Sequence, residues 1–251
     1  EGHVFAKSLL KEGWKITVSV VSDRASIPYE KLNLEKILIG ALVTEEEIRA
    51  IILNARINQS GFNCVIDLTH PFAINITASI SKVCKELCQP FIRYERVIDN
   101  ISNAFLIEKF SDLKNYDLNN KSILLAVGVR HLKEALTFAR NSGANVYARV
   151  LANPESLRKT LSSSISKTNF AVLNPSVSSN GKIEKALVKK WNIDGVICRQ
   201  SGGKNEILWH RICLSMGIDL WMLRRPCEIK NINSIDSYEK LIKRLKSINM
   251  E

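Results

Sequence analysis

At 251 residues, 45% hydrophobic and 24% charged, the chain is long enough for one large domain or two small ones and has a folded globular composition, which excludes disordered and fibrous classes. No apolar run approaches the ~20 residues of a spanning helix, and the start, Glu1-Gly2-His3-Val4-Phe5, has neither a basic nor an apolar signal region, so the expectation is a cytoplasmic protein with no membrane contact. The formal net charge of +11 draws in anions, but Lys and Arg are dispersed, aromatics amount to 7% and no nucleic-acid motif is present, so the expected partner is a small polyanion and not nucleic acid.

The chain enters a helix-like stretch at once, with Phe5, Leu9 and Leu10 apolar between Lys7, Lys11 and Glu12. A doubly wound domain opens instead with a strand and a glycine turn, so the first strand and most of such a turn are expected to be missing upstream of residue 1. Strands are then predicted over 15–21, 36–39, 63–68, 90–93, 122–127, 145–150, 169–173, 194–198 and 219–223, most of them near-continuous apolar runs, as happens when helices cover both faces of a parallel sheet. A helix over 44–58 starts with Thr44 and Glu47 in capping-box spacing and carries Ile48, Ile51 and Ile52 on one stripe. The polar cluster around 112–121 reads as a linker. It predicts an N-terminal Rossmann-like domain over 1–117 and a C-terminal Rossmann-like domain over 118–251. The tail from 231 onward, with Leu241, Ile242 and Leu245 among lysines, reads as an amphipathic helix docked on the second domain.

Four segments carry candidate chemistry. In Val65-Ile66-Asp67-Leu68-Thr69-His70-Pro71-Phe72-Ala73 an apolar strand stops, and Pro71 stands where a helix takes its first residue. Thr69 and His70 then fall at a strand's carboxyl end and a helix's amino end, where N–H groups and the helix dipole favour an anion. The plain alternative is that Thr69 only caps the helix and His70 only fills the turn. Phe91-Ile92-Arg93-Tyr94-Glu95-Arg96 ends a strand in two arginines whose planar forks suit carboxylates, the alternative being a local pair with Glu95. Cys198-Arg199-Gln200-Ser201-Gly202-Gly203-Lys204 offers a glycine turn that lets backbone approach a ligand, and Leu223-Arg224-Arg225-Pro226 repeats the paired arginines. Cationic groups at the same kind of edge in both halves suggest a positive cleft between the domains.

The six cysteines show no framework and are expected as free thiols, Cys84 and Cys88 included; His3, His131 and His210 stand alone, and no metal site is expected.

Together and in this order, these segments resemble the precorrin-6A reductases of cobalamin biosynthesis, including their cobalt-precorrin-6A branch. The likeness rests on Thr69-His70-Pro71-Phe72-Ala73, Arg93-Tyr94-Glu95-Arg96, Ala148-Arg149-Val150-Leu151, Ser201-Gly202-Gly203 and Arg224-Arg225-Pro226. The resemblance implies a two-domain α/β enzyme that transfers hydride from NADPH to a conjugated double bond of a carboxylate-rich tetrapyrrole. It implies that Gly2 ends the phosphate turn, that Ser22 and Arg24 meet the ribose 2′-phosphate, and that Thr69, His70, Pro71 and Phe72 line the cofactor, with His70 a candidate proton donor. Arg93, Arg96, Ser201, Gly202, Gly203 and Arg224 would face the carboxylates of the ring. Asn174-Pro175-Ser176-Val177 and Arg199-Gln200 depart from the family's Gly-Pro-Phe-Ser and Lys-Asp. A non-catalytic anion- or nucleotide-binding protein on the same fold stays open as the alternative.

Overall fold

The computed structural model describes residues 1–58, 61–98, 103–174, 180–227, 229, 232 and 234–248. Along the chain run α1 (Gly2–Lys11), β1 (Thr17–Val20), α2 (Asp23–Ser26), β2 (Lys36–Ile39), α3 (Glu45–Asn58), β3 (Val65–Asp67), α4 (Ile74–Glu86), β4 (Phe91–Tyr94) and β5 (Phe105–Ile107). They are followed by β6 (Ser122–Leu125), α5 (Val129–Asn141), β7 (Asn145–Val150), α6 (Pro154–Leu161), β8 (Phe170–Val172), α7 (Lys182–Lys190), β9 (Gly195–Arg199), α8 (Lys204–Met216), β10 (Asp219–Leu223), β11 (Ser234–Ile235) and α9 (Tyr238–Ile248). The architecture is α/β and Rossmann-like, and every strand pairing recorded is parallel.

The chain divides into two compact units, Glu1–Arg96 with Pro226–Glu251, and Val97–Arg225. The single cut expected between 117 and 118 is therefore displaced, for a physical reason. The segment read as a linker is a 3-10 helix, Phe110–Asn115, whose Phe110 and Leu113 are buried together with the following Leu118, so it belongs to the core of the second unit. Its polar residues work as local caps: Asp112 accepts from the N–H groups of Glu108 and Lys109. The tail helix belongs to the first unit, not the second, because Leu241 and Leu245 bury against Phe5, Leu9 and Ile92.

In the first unit the strands form a two-stranded sheet, β1-β2, and a three-stranded sheet, β11-β4-β3. Helices cover both faces of β3 and β4. On one side Ile92 packs with Phe5 and Leu9 of α1 and Leu241 and Leu245 of α9. On the other, Val65 and Phe91 pack with Ile48 and Ile52 of α3 and Ile80, Val83 and Cys84 of α4. The capping box of α3 forms as the spacing predicts, with Glu47 accepting from Thr44 N–H at 3.0 Å and Thr44 Oγ1 accepting from Glu47 N–H at 3.2 Å.

The second unit has one six-stranded sheet in the order β5-β10-β9-β6-β7-β8. The chain winds outward from β6 through β7 to β8, then crosses to β9 and winds the other way. The strand order thus reverses between β6 and β9, and in open parallel sheets ligands bind beyond the carboxyl ends of the strands at that point. Val196, Ile197 and Cys198 of β9 are buried, as a strand covered on both faces requires. Gly195 opens β9 because a Cβ there would collide with the ring of the fully buried Trp221.

Candidate functional site

In the first unit the candidate residues gather at the carboxyl ends of β3 and β4. Asp67, the last residue of β3, is 2% exposed and organises the turn that follows. Its Oδ1 accepts from Thr69 N–H at 2.8 Å, and its Oδ2 accepts from Thr77 Oγ1–H at 2.6 Å. Arg93 enters from the neighbouring strand. Its Nη1 lies 2.8 Å from both Asp67 Oδ2 and Thr69 Oγ1, and its Nε donates to Glu95 Oε1 at 2.8 Å. At 3% exposure this guanidinium is a buried organiser of the turn. It is not offered to a ligand's carboxylate as the sequence suggested, because its hydrogen bonds run inward.

The turn itself differs from the sequence expectation in one respect. Helix α4 starts at Ile74, three residues after Pro71, because Ala73 N–H donates to His70 O at 2.7 Å and closes a separate turn over 70–73. Thr69 does not cap α4: Ala73 stands at that position with no side-chain cap, and no acidic residue stands in the first helical turn. His70 Nδ1 accepts from Phe72 N–H at 3.2 Å. A neutral imidazole with Nδ1 used as an acceptor carries its proton on Nε2, so the turn selects the tautomer. Pro71 is buried, whereas Thr69, His70 and Phe72 are half-buried.

Helix α1 adds a second amino terminus, again with no side-chain cap and no acidic residue in its first turn. Gly2 packs against Tyr29, whose Oη would have to shift to admit a Cβ there, and Tyr29 also meets the His3 ring edge-on at 5.8 Å. The 22–29 segment after β1, which carries the exposed Ser22 and Arg24, is thereby tied back to the start of α1. Arg96 reaches the same start, pairing with Glu1 Oε2 at 2.6 Å. Thr69 and Arg93 are thus in direct contact, Arg96 pairs with Glu1 beside Gly2, and Ser22 and Arg24 lie on the segment that Tyr29 ties to α1.

In the second unit Ser201–Gly203 and Arg224 stand at adjacent strand ends, beyond β9 and β10. Gly202 has φ +60°, a left-handed conformation that favours glycine. Its N–H donates to Glu206 Oε2 at 2.6 Å, so a buried internal carboxylate already occupies this amide at the start of α8. Arg224 is half-exposed and pairs with Glu108 at 2.8 Å. Its neighbour Arg225 is the buried one, with its N–H donating to Gln200 Oε1 and its Nε to Gln200 O.

Sequence reasoning missed the other side of the reversal. Beyond β6 comes Gly128 at φ +78°, and a Cβ there would lie 3.5 Å from Arg199 Nη2. His131 follows in the first turn of α5, with its ring centroid 6.1 Å from that of Phe110. Burial, Arg199 and Arg130 push its pKa below the ordinary histidine value. The signal was present as an apolar strand, a glycine and an amphipathic helix in succession, the same grammar that marked Ser201–Gly203.

No group of three or more His, Cys, Asp or Glu residues able to hold a metal occurs among the described residues. No helix there is long and apolar enough to cross a membrane. All six cysteines are free. Burial raises the thiols of Cys84 to about 11 and of Cys64 and Cys213 to about 12, so these are packing residues and not nucleophiles. Asn174 is described, but Pro175–Val177 of the departing segment lie outside the described residues.

The model of one protein family, described as precorrin-6x reductase CbiJ/CobK, matches residues 1–246. The chain is 26% identical to a cobalt-precorrin-6A reductase of Synechocystis over 90% of its own length and 85% of that protein. It is 26% identical to a precorrin-6A reductase of Mycobacterium tuberculosis over 96% of its own length and 91% of that protein. Among solved structures it is similar to a CobK precorrin-6A reductase, with a TM-score of 0.74 and 17% identity over 99% of this chain and 93% of that one, a likeness of fold.

Proposed function

The chain belongs to the precorrin-6x reductase CbiJ/CobK family, and from that premise we propose that it is a cytoplasmic enzyme using NADPH to reduce the macrocycle of precorrin-6A or its cobalt form to the 6B level. It is an NAD(P)H-dependent oxidoreductase of cobalamin biosynthesis. The observation that carries the cofactor assignment is the Thr69–Phe72 turn, which lies at the carboxyl end of a parallel strand and leads into α4, whose amino terminus, like that of α1, no side chain caps.

The residues present fit a dinucleotide. The amino termini of α1 and α4 supply N–H groups and a favourable dipole for its phosphates. Ser22 and Arg24 offer an exposed hydroxyl and guanidinium suited to a 2′-phosphate. When bound, the nicotinamide supplies the hydride. The chain contributes binding, alignment and water exclusion, which convert an encounter into a positioned reaction. His70, with its proton held on Nε2, is the group placed to deliver a proton at that atom. Arg96 and Arg224 meet the carboxylates of the ring, since both sit in ion pairs a ligand can exchange into. Ser201, Gly202 and Gly203 stand at the strand end next to that of Arg224, in a turn that Glu206 fixes.

The test is anaerobic NADPH oxidation with metal-free and cobalt-containing 6A substrates, each run also with NADH. Oxidation that depends on either macrocycle and prefers NADPH is expected. Arg24→Ala should reduce that preference by about tenfold or more, the worth of one charged hydrogen bond to phosphate. Protein that binds NADPH but oxidises none of it with either macrocycle would favour a non-catalytic binder on this fold.

A further inference from the structure

We infer that Arg93, together with Asp67 and Thr77, is a positioning device that fixes Thr69 as a one-way hydrogen-bond donor to an acceptor oxygen of the dinucleotide. This rests on the cofactor assignment above.

The direction follows from counting protons. Arg93 has donors only, so its 2.8 Å contact with Thr69 Oγ1 makes that oxygen an acceptor. Thr77 spends its single hydroxyl hydrogen on Asp67 Oδ2 at 2.6 Å. The Thr69 N–H is spent on Asp67 Oδ1. What remains is the hydroxyl hydrogen of Thr69. The internal acceptor nearest to it in the network is Thr77 Oγ1 at 3.4 Å, a length at which a hydroxyl hydrogen bond is weak. The hydrogen therefore points to whatever stands beyond the half-buried side of the turn. A guanidinium on the same oxygen polarises the hydroxyl and makes it a better donor.

Asp67 makes the arrangement rigid. It is bound simultaneously by Arg93, by Thr77 of α4 and by the backbone of Thr69, so strand, turn and helix share one carboxylate. Glu95 takes the Nε side of Arg93 and stops the guanidinium from rotating away. A donor oriented in advance costs less conformational freedom when the ligand arrives. The matching ligand atom is an acceptor with no hydrogen of its own, which a phosphate oxygen or an amide carbonyl of NADPH provides.

The experiment measures NADPH dissociation constants by fluorescence titration of the whole protein, with thermal unfolding recorded for each variant. Thr69→Ser keeps the hydroxyl and should hold affinity within about threefold, whereas Thr69→Val should lose about tenfold, one hydrogen bond's worth, together with a lower unfolding temperature because one buried N–H of Arg93 loses its acceptor. Arg93→Lys cannot serve Asp67, Thr69 and Glu95 together and should lose a similar factor. In the Thr69→Val background Arg93→Lys should add almost nothing, because both act through one hydroxyl. Thr77→Val removes one partner of Asp67 but leaves Arg93 on Thr69, so it should weaken binding by no more than about threefold, and it carries the directional test if Arg93→Lys does not fold.

Equal affinities for Thr69→Ser and Thr69→Val, additive losses in the double variant, or several-fold tighter binding by Thr77→Val would each overturn the inference while leaving the cofactor assignment intact. A wild-type protein that does not bind NADPH would remove the assignment and the inference with it.

Discussion

The two units present arginines at strand ends in nearly the same sequence grammar, yet the structure uses them oppositely. In the first, Arg93 is 3% exposed and locked between Asp67, Glu95 and Thr69. In the second, Arg224 is 50% exposed and held by the exposed Glu108 alone among the ion pairs recorded for it. A buried pair and a surface pair share the same atoms and distances but not the same energetics. Breaking a buried pair strands a charge away from water, whereas an exposed pair is worth little because solvent replaces either partner. A strand-end arginine is therefore a structural element or a ligand contact according to what its neighbouring strand supplies. Here β3 supplies Asp67, and β5 supplies the turn that carries Glu108.

The largest expected effect separates these two roles. Arg93→Ala should lower unfolding free energy by about 3–5 kcal/mol, the cost of leaving a buried carboxylate unpaired, read from urea denaturation. Loss of under about 1 kcal/mol would place Asp67 and Arg93 in a wetter setting than their exposure indicates. Arg224→Ala should change stability by no more than about 0.5 kcal/mol. Its effect belongs in kinetics: a several-fold higher KM for the tetrapyrrole with kcat nearly kept, because it removes binding shared by ground and transition states. An unchanged KM would return Arg224 to the ordinary surface.

A smaller effect concerns the strand-order reversal in the second unit. His131 has its pKa pushed below 6.5 by burial and by Arg199 and Arg130, so the fold prefers it neutral. Above that value folded and unfolded chains are both neutral there and the residue makes no difference. As pH falls below it, the unfolded chain takes up the proton first, and stability drops until the folded-state value is passed. The urea midpoint of wild type should fall in this window more than that of His131→Gln. Identical profiles would mean His131 is not held in the environment described.

The sequence made most strands legible, since long apolar runs such as 122–127 and 219–223 are hard to read otherwise. It hid β5 and β11, three and two residues long, because such short edges carry too little periodicity to register. The linker reading failed for a related reason. Asn and Asp mark turns whether the turn lies between domains or is pinned to a core by Phe110, Leu113 and Leu118. The stripe on α9 showed that the helix docks, but not on which unit, since Leu241 and Leu245 fit any apolar surface. At the site, Thr69, His70 and the arginines were visible as residue types. What each one touches was not, because Asp67 and Thr77 look like ordinary strand and helix residues until the fold brings them to Arg93.

Hydride transfer itself is the most direct test of the whole account. NADPH carrying deuterium at the transferable C4 position should deliver that deuterium to a ring carbon of the product, detected by mass spectrometry and NMR of the 6B macrocycle. A product formed without deuterium from either C4 position, or no reduction of either substrate form by protein that binds NADPH, would contradict it.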